Sequence, residues 1–488
     1  MFQPVPRLKT TPMKKLNKPA SGKIAFFAGA TALMSLVNQS HAQSSDALID
    51  KLVDKGILTT KEAQELRTES DQDFTTAFQT KTGMPDWVTG YKFGGSFRGR
   101  FEQFTSENPN FAARTRLRYR LLAGVVISMK GNLETGFQFG SGDYYPNGNT
   151  GNPLSNNSTM QDNGSKKNLW INQAYGKWTP LNSDGWLLSA TIGKMENPYQ
   201  FTPMVFDTDW TPEGGALQGG YTFNEQHSLT VIGAAFVLDE ESLSQQDPAM
   251  FGGQVIWNAN WTKHISTSLG LGGLAITSPL NLTSANPANV PYVNQGNSRV
   301  FNPNYQNPAN GVYGTYQLAN NYTPIILDAS TTYKLDTFPF YTGAFPIKIA
   351  GEYIVNPGVN PNNNQNQGIW GGITFGKSGT KGTWDISYRY AYIEADAWYD
   401  QVVDDDNVSY YQTAPVGAPL GSGVGMYGGT NVKGHLIRAN YSFTDGLTFS
   451  FTCYINQLIY PGLNTVPGSV GEPQSNALHV MADMMWKF

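Results

Sequence analysis

The chain has 488 residues, a formal net charge of −4 and a single cysteine, Cys453. An acidic chain with one cysteine is neither a basic nucleic-acid-binding domain nor a fold cross-linked by internal disulfides. Aromatic residues make up 13% of the chain and glycines number 52. After the amino-terminal segment the chain contains no run of 18 apolar residues, which excludes a transmembrane helix there.

The amino terminus has the three parts of a secretory signal. Basic residues precede an apolar stretch at 24–37, and a small-x-small cleavage motif ends at Ala42. We therefore expect residues 1–42 to be a cleaved signal peptide, with translation starting at Met1 or Met13. Its removal takes away six basic residues and changes the formal net charge from −4 to −10.

Residues 43–90 predict a periplasmic helical segment followed by a linker. Apolar residues at helical spacing run through 46–55, and Thr59-x-x-Glu62 is a capping box that opens a second helix. Three roles fit this pair equally: a periplasmic coiled segment, a plug for the mouth of a pore, or a partly ordered spacer.

From Tyr91 onward the hydrophobic period changes from helical spacing to two. In the stretch 114–121, four arginines alternate with threonine, leucine and tyrosine. Strict alternation predicts a β-strand whose two faces meet different environments. Sixteen segments, each near or above the roughly 9–11 residues that a tilted strand needs to cross a bilayer, are predicted as strands at 91–104, 114–128, 131–140, 169–178, 186–195, 214–223, 227–238, 252–261, 267–276, 324–335, 347–356, 368–376, 382–395, 432–443, 447–459 and 477–488.

The length of each connection depends on whether the strand before it is odd- or even-numbered. Long segments rich in Asn, Gly and Pro follow odd-numbered strands, the longest at 141–168, 277–323 and 396–431, whereas most even-numbered strands lead into short turns. Long loops at one end and short turns at the other are typical of outer-membrane barrels. We predict an all-β fold, a transmembrane antiparallel β-barrel of about 16 strands that occupies residues 91–488.

The last strand ends with the chain itself, and its outward face carries Trp486 and Phe488. An alternating strand that closes on an aromatic residue is a signal for the barrel-assembly machinery, so this machinery is an expected partner. Outer-membrane lipid and lipopolysaccharide are expected around the barrel, a homotrimer is possible, and a nucleic-acid partner is excluded by the charge.

Several stretches resemble the putative-porin family of bacterial outer-membrane proteins. They are RTRLRYRLLAG at 114–124, INQAYGKW at 171–178, GKMENP at 193–198, FDTDWTPEGG at 206–215 and GTWDISYRYAYIEADAWYDQVVDDD at 382–406. Together they span most of the chain after residue 90. The resemblance implies a passive pore.

The arginines at 114–120 share one face of one strand. The energetic cost of each environment decides whether that face points toward lipid or into the lumen. An arginine facing lipid at mid-membrane costs about 2–4 kcal/mol, whereas the repulsion between neighbours in a wet lumen is about 0.6 kcal/mol. Two further arginines, Arg98 and Arg100, lie on the adjacent antiparallel strand. We therefore predict a pore-lining stripe made of Arg98, Arg100, Arg114, Arg116, Arg118 and Arg120.

The predicted third long loop carries acids that could face this stripe. Asp207, Asp209 and Glu213 lie in the stretch 196–213. An acidic loop opposite a basic wall would set up a transverse field in a constriction. The alternative is that acids and arginines fill and hydrate the lumen without forming a filter.

A second acidic group lies at 394–406, where a long loop opens. It could bind divalent cations that bridge lipopolysaccharide phosphates, but it lacks the spacing of an EF-hand, and we favour a solvated run of charge. No motif of a metalloprotease, serine hydrolase or nucleotide-binding loop is present, so we expect no catalytic residue, no metal site and no cofactor.

These observations predict an outer-membrane porin that lets small hydrophilic solutes or ions diffuse passively through a water-filled lumen with an arginine-lined wall. Two other functions remain open. One is a barrel that sheathes a periplasmic partner such as an electron-transfer protein. The other is an outer-membrane hydrolase built around one of four histidines, at positions 227, 264, 435 and 479.

Overall fold

The computed structural model describes residues 84–108, 111–144, 150–240, 246–282, 295–307, 312–412, 424–461, 463 and 475–488. The predicted signal peptide and helical pair lie outside these residues. No helix among them has both the length and the apolar character needed to cross a membrane. The strands, numbered along the chain, are β1 Val88–Thr105, β2 Arg114–Met129, β3 Leu133–Gly142, β4 Ser158–Thr159, β5 Asn168–Ser183, β6 Trp186–Lys194, β7 Glu213–Thr222, β8 His227–Val237, β9 Ala249–Asn260, β10 Ile265–Thr277, β11 Arg299–Asn307, β12 Val312–Leu318, β13 Ile325–Leu335, β14 Phe345–Val355, β15 Gln367–Gly376, β16 Trp384–Ile393, β17 Ser409–Gln412, β18 Val424–Tyr427, β19 Val432–Thr444, β20 Leu447–Leu458 and β21 Ala477–Lys487.

Sixteen of these strands form one closed antiparallel barrel. The order around the wall is β1, β2, β3, β5 to β10, β13 to β16 and β19 to β21, and each strand pairs with the next. The barrel closes where β1 pairs with β21, in a register that runs from Ser96↔Lys487 to Thr105↔Leu478. The prediction of about 16 strands is confirmed, and every predicted strand overlaps one barrel strand.

Alternation along the strands separates an apolar outer face from the interior. On β13, Ile325 and Leu327 are about half exposed while Ile326 between them is fully buried. The same alternation recurs around the wall, because successive side chains of a strand point to opposite faces. The outer face therefore presents exposed aromatic and aliphatic side chains, such as Phe97, Phe101, Leu117, Leu121, Ile192, Leu217, Ile349 and Ile386.

Tight turns join the barrel strands at one end, here called the short-turn end. Between β5 and β6, Asp184 and Gly185 both have positive φ, of 53° and 81°. Positive φ at both central residues defines the type I′ turn, which matches the twist of a hairpin and favours Asp-Gly. The opposite end, the long-loop end, carries the connections 143–167, 195–212, 278–324 and 394–431.

The long loops contain secondary structure that the alternation pattern did not predict. β4 pairs with β2 in the same sheet as the wall, just beyond the residues of β2 that pair with β3, and β11–β12 and β17–β18 form two separate hairpins. In addition, β1 begins at Val88, three residues before the predicted start. The described parts of the long loops therefore contain regular structure of their own.

Candidate functional site: a charged chamber inside the barrel

Two loops fold into the barrel and form a hydrophobic core against inward side chains of β7 to β10 and β13 to β16. Phe206 and Trp210 of loop 195–212 stack with ring centroids 4.7 Å apart, and Trp398 of loop 394–431 meets Phe206 edge-on at 6.1 Å. These rings pack on inward apolar side chains of the wall, including Phe236 on β8 and Ile256 on β9. The chain itself therefore fills the part of the interior that faces these strands.

Hydrogen bonds from the wall hold loop 195–212 in place. The carboxylate of Glu352 on β14 accepts bonds from both the backbone N–H and the hydroxyl of Thr202, and Glu352 is only 2% exposed. Gln254 on β9 accepts a bond from the backbone N–H of Gln200 at 2.8 Å. A buried carboxylate that accepts two donors stabilises the loop more than a neutral bond would.

The two loops also bind each other. The backbone N–H of Asp207 donates to the carbonyl of Val402 at 2.7 Å, and the side chain of Asp207 accepts a bond from the N–H of Asp405 at 3.2 Å. The indole N–H of Trp398 donates to the carbonyl of Val205 at 3.0 Å. The loops therefore form one body, and that body bears acidic side chains on its free side.

A polar chamber of about 460 Å³ lies beside this core. Its wall comes from β1, β2, β16 and β19 to β21, and its remaining side is formed by the two inward loops together with Leu154, Ser155 and Asn157 of the connection 143–167. It extends from Ser378 and Lys487 at the short-turn end to Asn157 and Asp406 near the long loops. The charged residues around it are Arg98, Arg100, Arg120, Asp207, Asp209, Arg389, Asp404, Asp405, Asp406, Arg438, Asp483 and Lys487.

Three of the six arginines predicted to line a pore border this chamber. Arg100 makes two bonds to the carboxylate of Asp483, at 2.8 and 2.9 Å, and lies 3.1 Å from Asp406. Arg98 donates to the side-chain oxygen of Asn157 at 2.8 Å. Arg120 lies 2.7 Å from the carboxylate of Asp209.

The other three arginines of the predicted stripe lie elsewhere. Arg116 forms an ion pair with Glu102, which is fully buried, and Arg118 lies 3.7 Å from the same carboxylate. Arg118 also donates to the carbonyl of Asn157 at 3.2 Å. Arg114 is exposed at the start of β2. The stripe is therefore divided between the chamber and a buried cluster around Glu102.

Of the three acids assigned to a constriction loop, two border the chamber. Asp207 is buried where the two loops meet, and Asp209 pairs with Arg120. Glu213 is the first residue of β7 and shares the outward face with Leu217. It pairs with Lys194 at 3.2 Å, and its side chain is 66% exposed. The chamber therefore does not include Glu213.

The second acidic group is not the solvated run of charge that the sequence suggested. Asp396 and Asp400 are fully buried. Asp400 binds Arg299 at 3.0 Å, and Asp396 accepts bonds from Ser298 and Tyr322. These contacts join loop 394–431 to the hairpin β11–β12, so these two acids hold the loop body together.

The last three acids of the second group point into the chamber, a position that the sequence did not predict. Asp404, Asp405 and Asp406 all border it. Arg389 and Arg438 lie on neighbouring strands and face the lumen. Their position could have suggested that acids lie opposite them. Loop 394–431 therefore supplies more acids to the chamber than loop 195–212 does.

The pKa values of the loop acids are shifted because their carboxylates lie close together and are shielded from water. Burial, together with the charges of Asp405 and Asp404, raises the pKa of Asp207 well above its ordinary value. Burial and the charge of Asp406 raise the pKa of Asp404 to about 6, and the same two causes raise that of Asp405 well above normal. Burial would also raise the pKa of Asp406, but the charges of Arg100 and His479 outweigh it and lower the pKa.

His435 and His479, two of the four histidines considered for a hydrolase site, contact aromatic and acidic side chains. His435 faces outward and bonds the hydroxyl of Tyr388 at 2.8 Å. His479 is buried against the ring of Phe104, with centroids 4.2 Å apart, and its Nε2 lies 3.4 Å from Glu102. Among the described residues, no serine hydroxyl is hydrogen-bonded to a histidine ring.

The carboxyl terminus closes the barrel at the short-turn end. Phe488 exchanges backbone hydrogen bonds with Gly95, at 2.9 and 3.2 Å, and its side chain is 63% exposed. Trp486 faces outward against Phe97, with ring centroids 5.6 Å apart. Both predicted signal residues are therefore on the outer surface. Their role in assembly stays a prediction.

A closed sixteen-stranded barrel with an apolar outer face, inward loops and a polar chamber defines a porin-like protein of the outer membrane. The sequence model of the family described as "Putative porin" matches residues 106–461. The chain therefore belongs to the putative-porin family. No curated protein sequence matches it.

Several solved structures are similar to this chain at low sequence identity. OprB of Pseudomonas putida, in its high-pH structure, is 12% identical, with a TM-score of 0.46, over 86% of this chain and 97% of OprB. OmpT of Vibrio cholerae, with loop L8 deleted, is 10% identical, with a TM-score of 0.41, over 82% and 99%. A Rhodopseudomonas blastica porin mutant is 10% identical, with a TM-score of 0.36, over 82% and 100%.

Proposed function

We propose that this protein is an outer-membrane porin through which small hydrophilic solutes or ions diffuse passively by way of the charged chamber. The observation that carries the proposal is the contact between Arg120 and Asp209, whose charged atoms are 2.7 Å apart inside the barrel. A guanidinium of the wall meets a carboxylate of an inward loop there. The open cross-section is thus limited on one side by a basic wall and on the other by acidic loops.

The arrangement of charge supports a filter that acts on the solute. Arg98, Arg100 and Arg120 lie on the wall, and Asp207, Asp209 and the acids at 404–406 lie on the loops. Opposite charges on facing sides of a narrow aqueous space create a transverse field, which orients polar solutes and sorts ions. Sixteen strands also give a circumference at which a lumen remains open to water.

The two alternative functions receive less support. Loops 195–212 and 394–431 place a hydrophobic core inside the barrel, which disfavours a barrel that sheathes a separate electron-transfer protein. A hydrolase needs a nucleophile beside a base, whereas His435 binds a tyrosine hydroxyl on the outer face and His479 lies against Phe104 and Glu102.

Export and assembly are part of the same proposal. We infer that residues 1–42 direct the chain across the inner membrane and are then removed. Trp486 and Phe488 present the terminal strand to the barrel-assembly machinery. The mature barrel is then surrounded by outer-membrane lipid and lipopolysaccharide, and a homotrimer is a possible assembly.

Liposome swelling tests the proposal directly. Purified, folded protein in liposomes should admit neutral sugars at a rate that falls with their size, because the chamber admits small hydrophilic molecules only. Heat-unfolded protein in the same liposomes is the control. Swelling no faster than in protein-free liposomes, for a barrel whose circular dichroism shows it to be folded, would contradict the proposal.

A further inference from the structure

Two of the guanidiniums that border the chamber form no ion pair with a carboxylate in the described part of the chain, although Asp404 lies near enough to act on both electrostatically. Arg389 on β16 and Arg438 on β19 both face inward and border the chamber. In the part of the chain that the structure describes, neither has a carboxylate oxygen within 4.0 Å, whereas Arg98, Arg100 and Arg120 each do.

The two arginines are neighbours across one strand pair. Arg438 is directly opposite Ser387, and Arg389 is two residues further along β16. Residues in this diagonal relation have Cα atoms about 7–8 Å apart, within reach of long side chains. Two like charges at this spacing repel unless an anion lies between them.

The side chain of Arg389 is held in place by contacts that leave its charge free. Its guanidinium carbon lies 5.5 Å from the ring centroid of Trp370 on β15. Gly372, directly opposite Arg389, makes room for it, because a Cβ there would come within 2.8 Å of the Arg389 Cγ. Stacking on a tryptophan face orients a guanidinium without neutralising it.

Arg438 is oriented in a comparable way. Its Nε donates to the hydroxyl of Thr452 on β20 at 3.2 Å, and Thr452 is 4% exposed. This neutral bond fixes the plane of the guanidinium and leaves both terminal nitrogens for another acceptor.

The nearest acids are already engaged. Asp385 accepts bonds from Asn440 at 2.7 Å and from the N–H of Ser378 at 2.9 Å. Asp404 accepts a bond from Tyr454 at 3.2 Å. These acids remain beyond ion-pair distance from the two arginines, so the guanidiniums face the aqueous space of the chamber.

We propose that Arg389 and Arg438 form a binding subsite for the anionic group of a permeating solute, a carboxylate or a phosphate. The proposal rests on the proposed pore function and names the substrate class of its chamber. Planar guanidinium forks match the oxygen geometry of both groups. A chamber of about 460 Å³ is within the usual range for a small-molecule site.

Calorimetric titration in detergent tests binding independently of conduction. Sodium phosphate and sodium acetate are titrated separately into the full mature barrel, with sodium chloride as the reference. We expect saturable binding of at least one of the two anions, at least tenfold weaker in the double variant Arg389→Gln/Arg438→Gln. Binding of phosphate alone or of acetate alone identifies which anionic group the subsite takes.

Two further variants test whether anion binding depends on the position of Arg389 or on positive charge anywhere on the barrel. Gly372→Ala keeps both arginines but removes the space for Arg389, so it should also weaken binding. Lys130→Gln removes a cation from an exposed turn outside the chamber and should bind as the unsubstituted protein does. Circular dichroism checks that each variant is folded.

The outcomes distinguish the subsite from the pore. Saturable binding that the double variant loses, in a barrel that conducts no current, would retain the subsite and overturn the pore. Conduction by a barrel that binds neither anion, or that binds them equally well after both substitutions, would overturn the subsite and retain the pore.

Discussion

Arg120 on β2 and Asp209 in loop 195–212 lie 2.7 Å apart inside the barrel, although 89 residues separate them in the chain. Both side chains are largely buried, with exposures of 12% and 19%. The pair joins the wall to loop 195–212. The same contact therefore affects both the width of the chamber and the charge on its walls.

Asp209→Asn should change both conductance and selectivity. Loss of the carboxylate removes a charge-assisted bond of about 1.5–3 kcal/mol that holds the loop and leaves Arg120 unneutralised. We expect a higher single-channel conductance and a reversal potential shifted toward anions. Arg120→Gln should shift the reversal potential toward cations. Identical reversal potentials in both variants and in the unsubstituted protein would exclude this pair from the filter.

Thr202→Val should loosen loop 195–212 without altering any charge. The substitution removes the hydroxyl that donates to buried Glu352, at a cost of about 1–3 kcal/mol. We expect faster proteolysis of the loop and larger fluctuations of the channel current. Thr332→Val, on the inward face of β13, is the control. If both variants resist protease equally, the bond to Glu352 does not hold the loop.

The selectivity of the channel should depend on pH near neutrality. Because the pKa of Asp404 is raised to about 6, this acid is charged at pH 8 and neutral at pH 4.5. Lowering the pH removes negative charge from the chamber, so the reversal potential should move toward anions, with a midpoint near pH 6. Asp404→Asn should reduce the amplitude of this change. A profile that Asp404→Asn leaves unaltered would assign the titration to other groups.

The buried pair of Arg299 and Asp400 should stabilise the loop body more than the barrel. Both side chains are at most 1% exposed, and removal of one partner leaves an uncompensated buried charge at a cost of about 3–5 kcal/mol. We expect Asp400→Asn to expose loop 394–431 to protease while the barrel keeps its β-sheet circular dichroism. Equal protease resistance of the variant and the unsubstituted protein would show that the loop does not depend on this pair.

Periodicity alone was enough to predict the barrel wall. Alternation from Arg114 to Leu121 separates the two faces of β2 wherever one face meets lipid and the other does not. The alternation of long and short connections then predicted that one end of the barrel carries the short turns and the other the long loops. These signals are local in sequence, and each of the sixteen predicted segments overlaps a barrel strand for that reason.

The interior could not be predicted in the same way, because it depends on contacts between distant segments. Nothing local indicates that Phe206 and Trp398 pack on each other inside the barrel, or that Glu352 binds Thr202 across 150 residues. The partners of Arg116 and Arg118 likewise follow from the position of Glu102 on β1. An error of one residue at the start of β7 was enough to assign Glu213 to the wrong surface.

Whether ions and small solutes pass through the polar chamber can be measured by single-channel recording of the purified barrel in a planar bilayer with a potassium chloride gradient. We expect discrete conductance steps and a nonzero reversal potential that Asp209→Asn and Arg120→Gln shift in opposite directions. If a folded, inserted barrel carries no current, the chamber is not a passage.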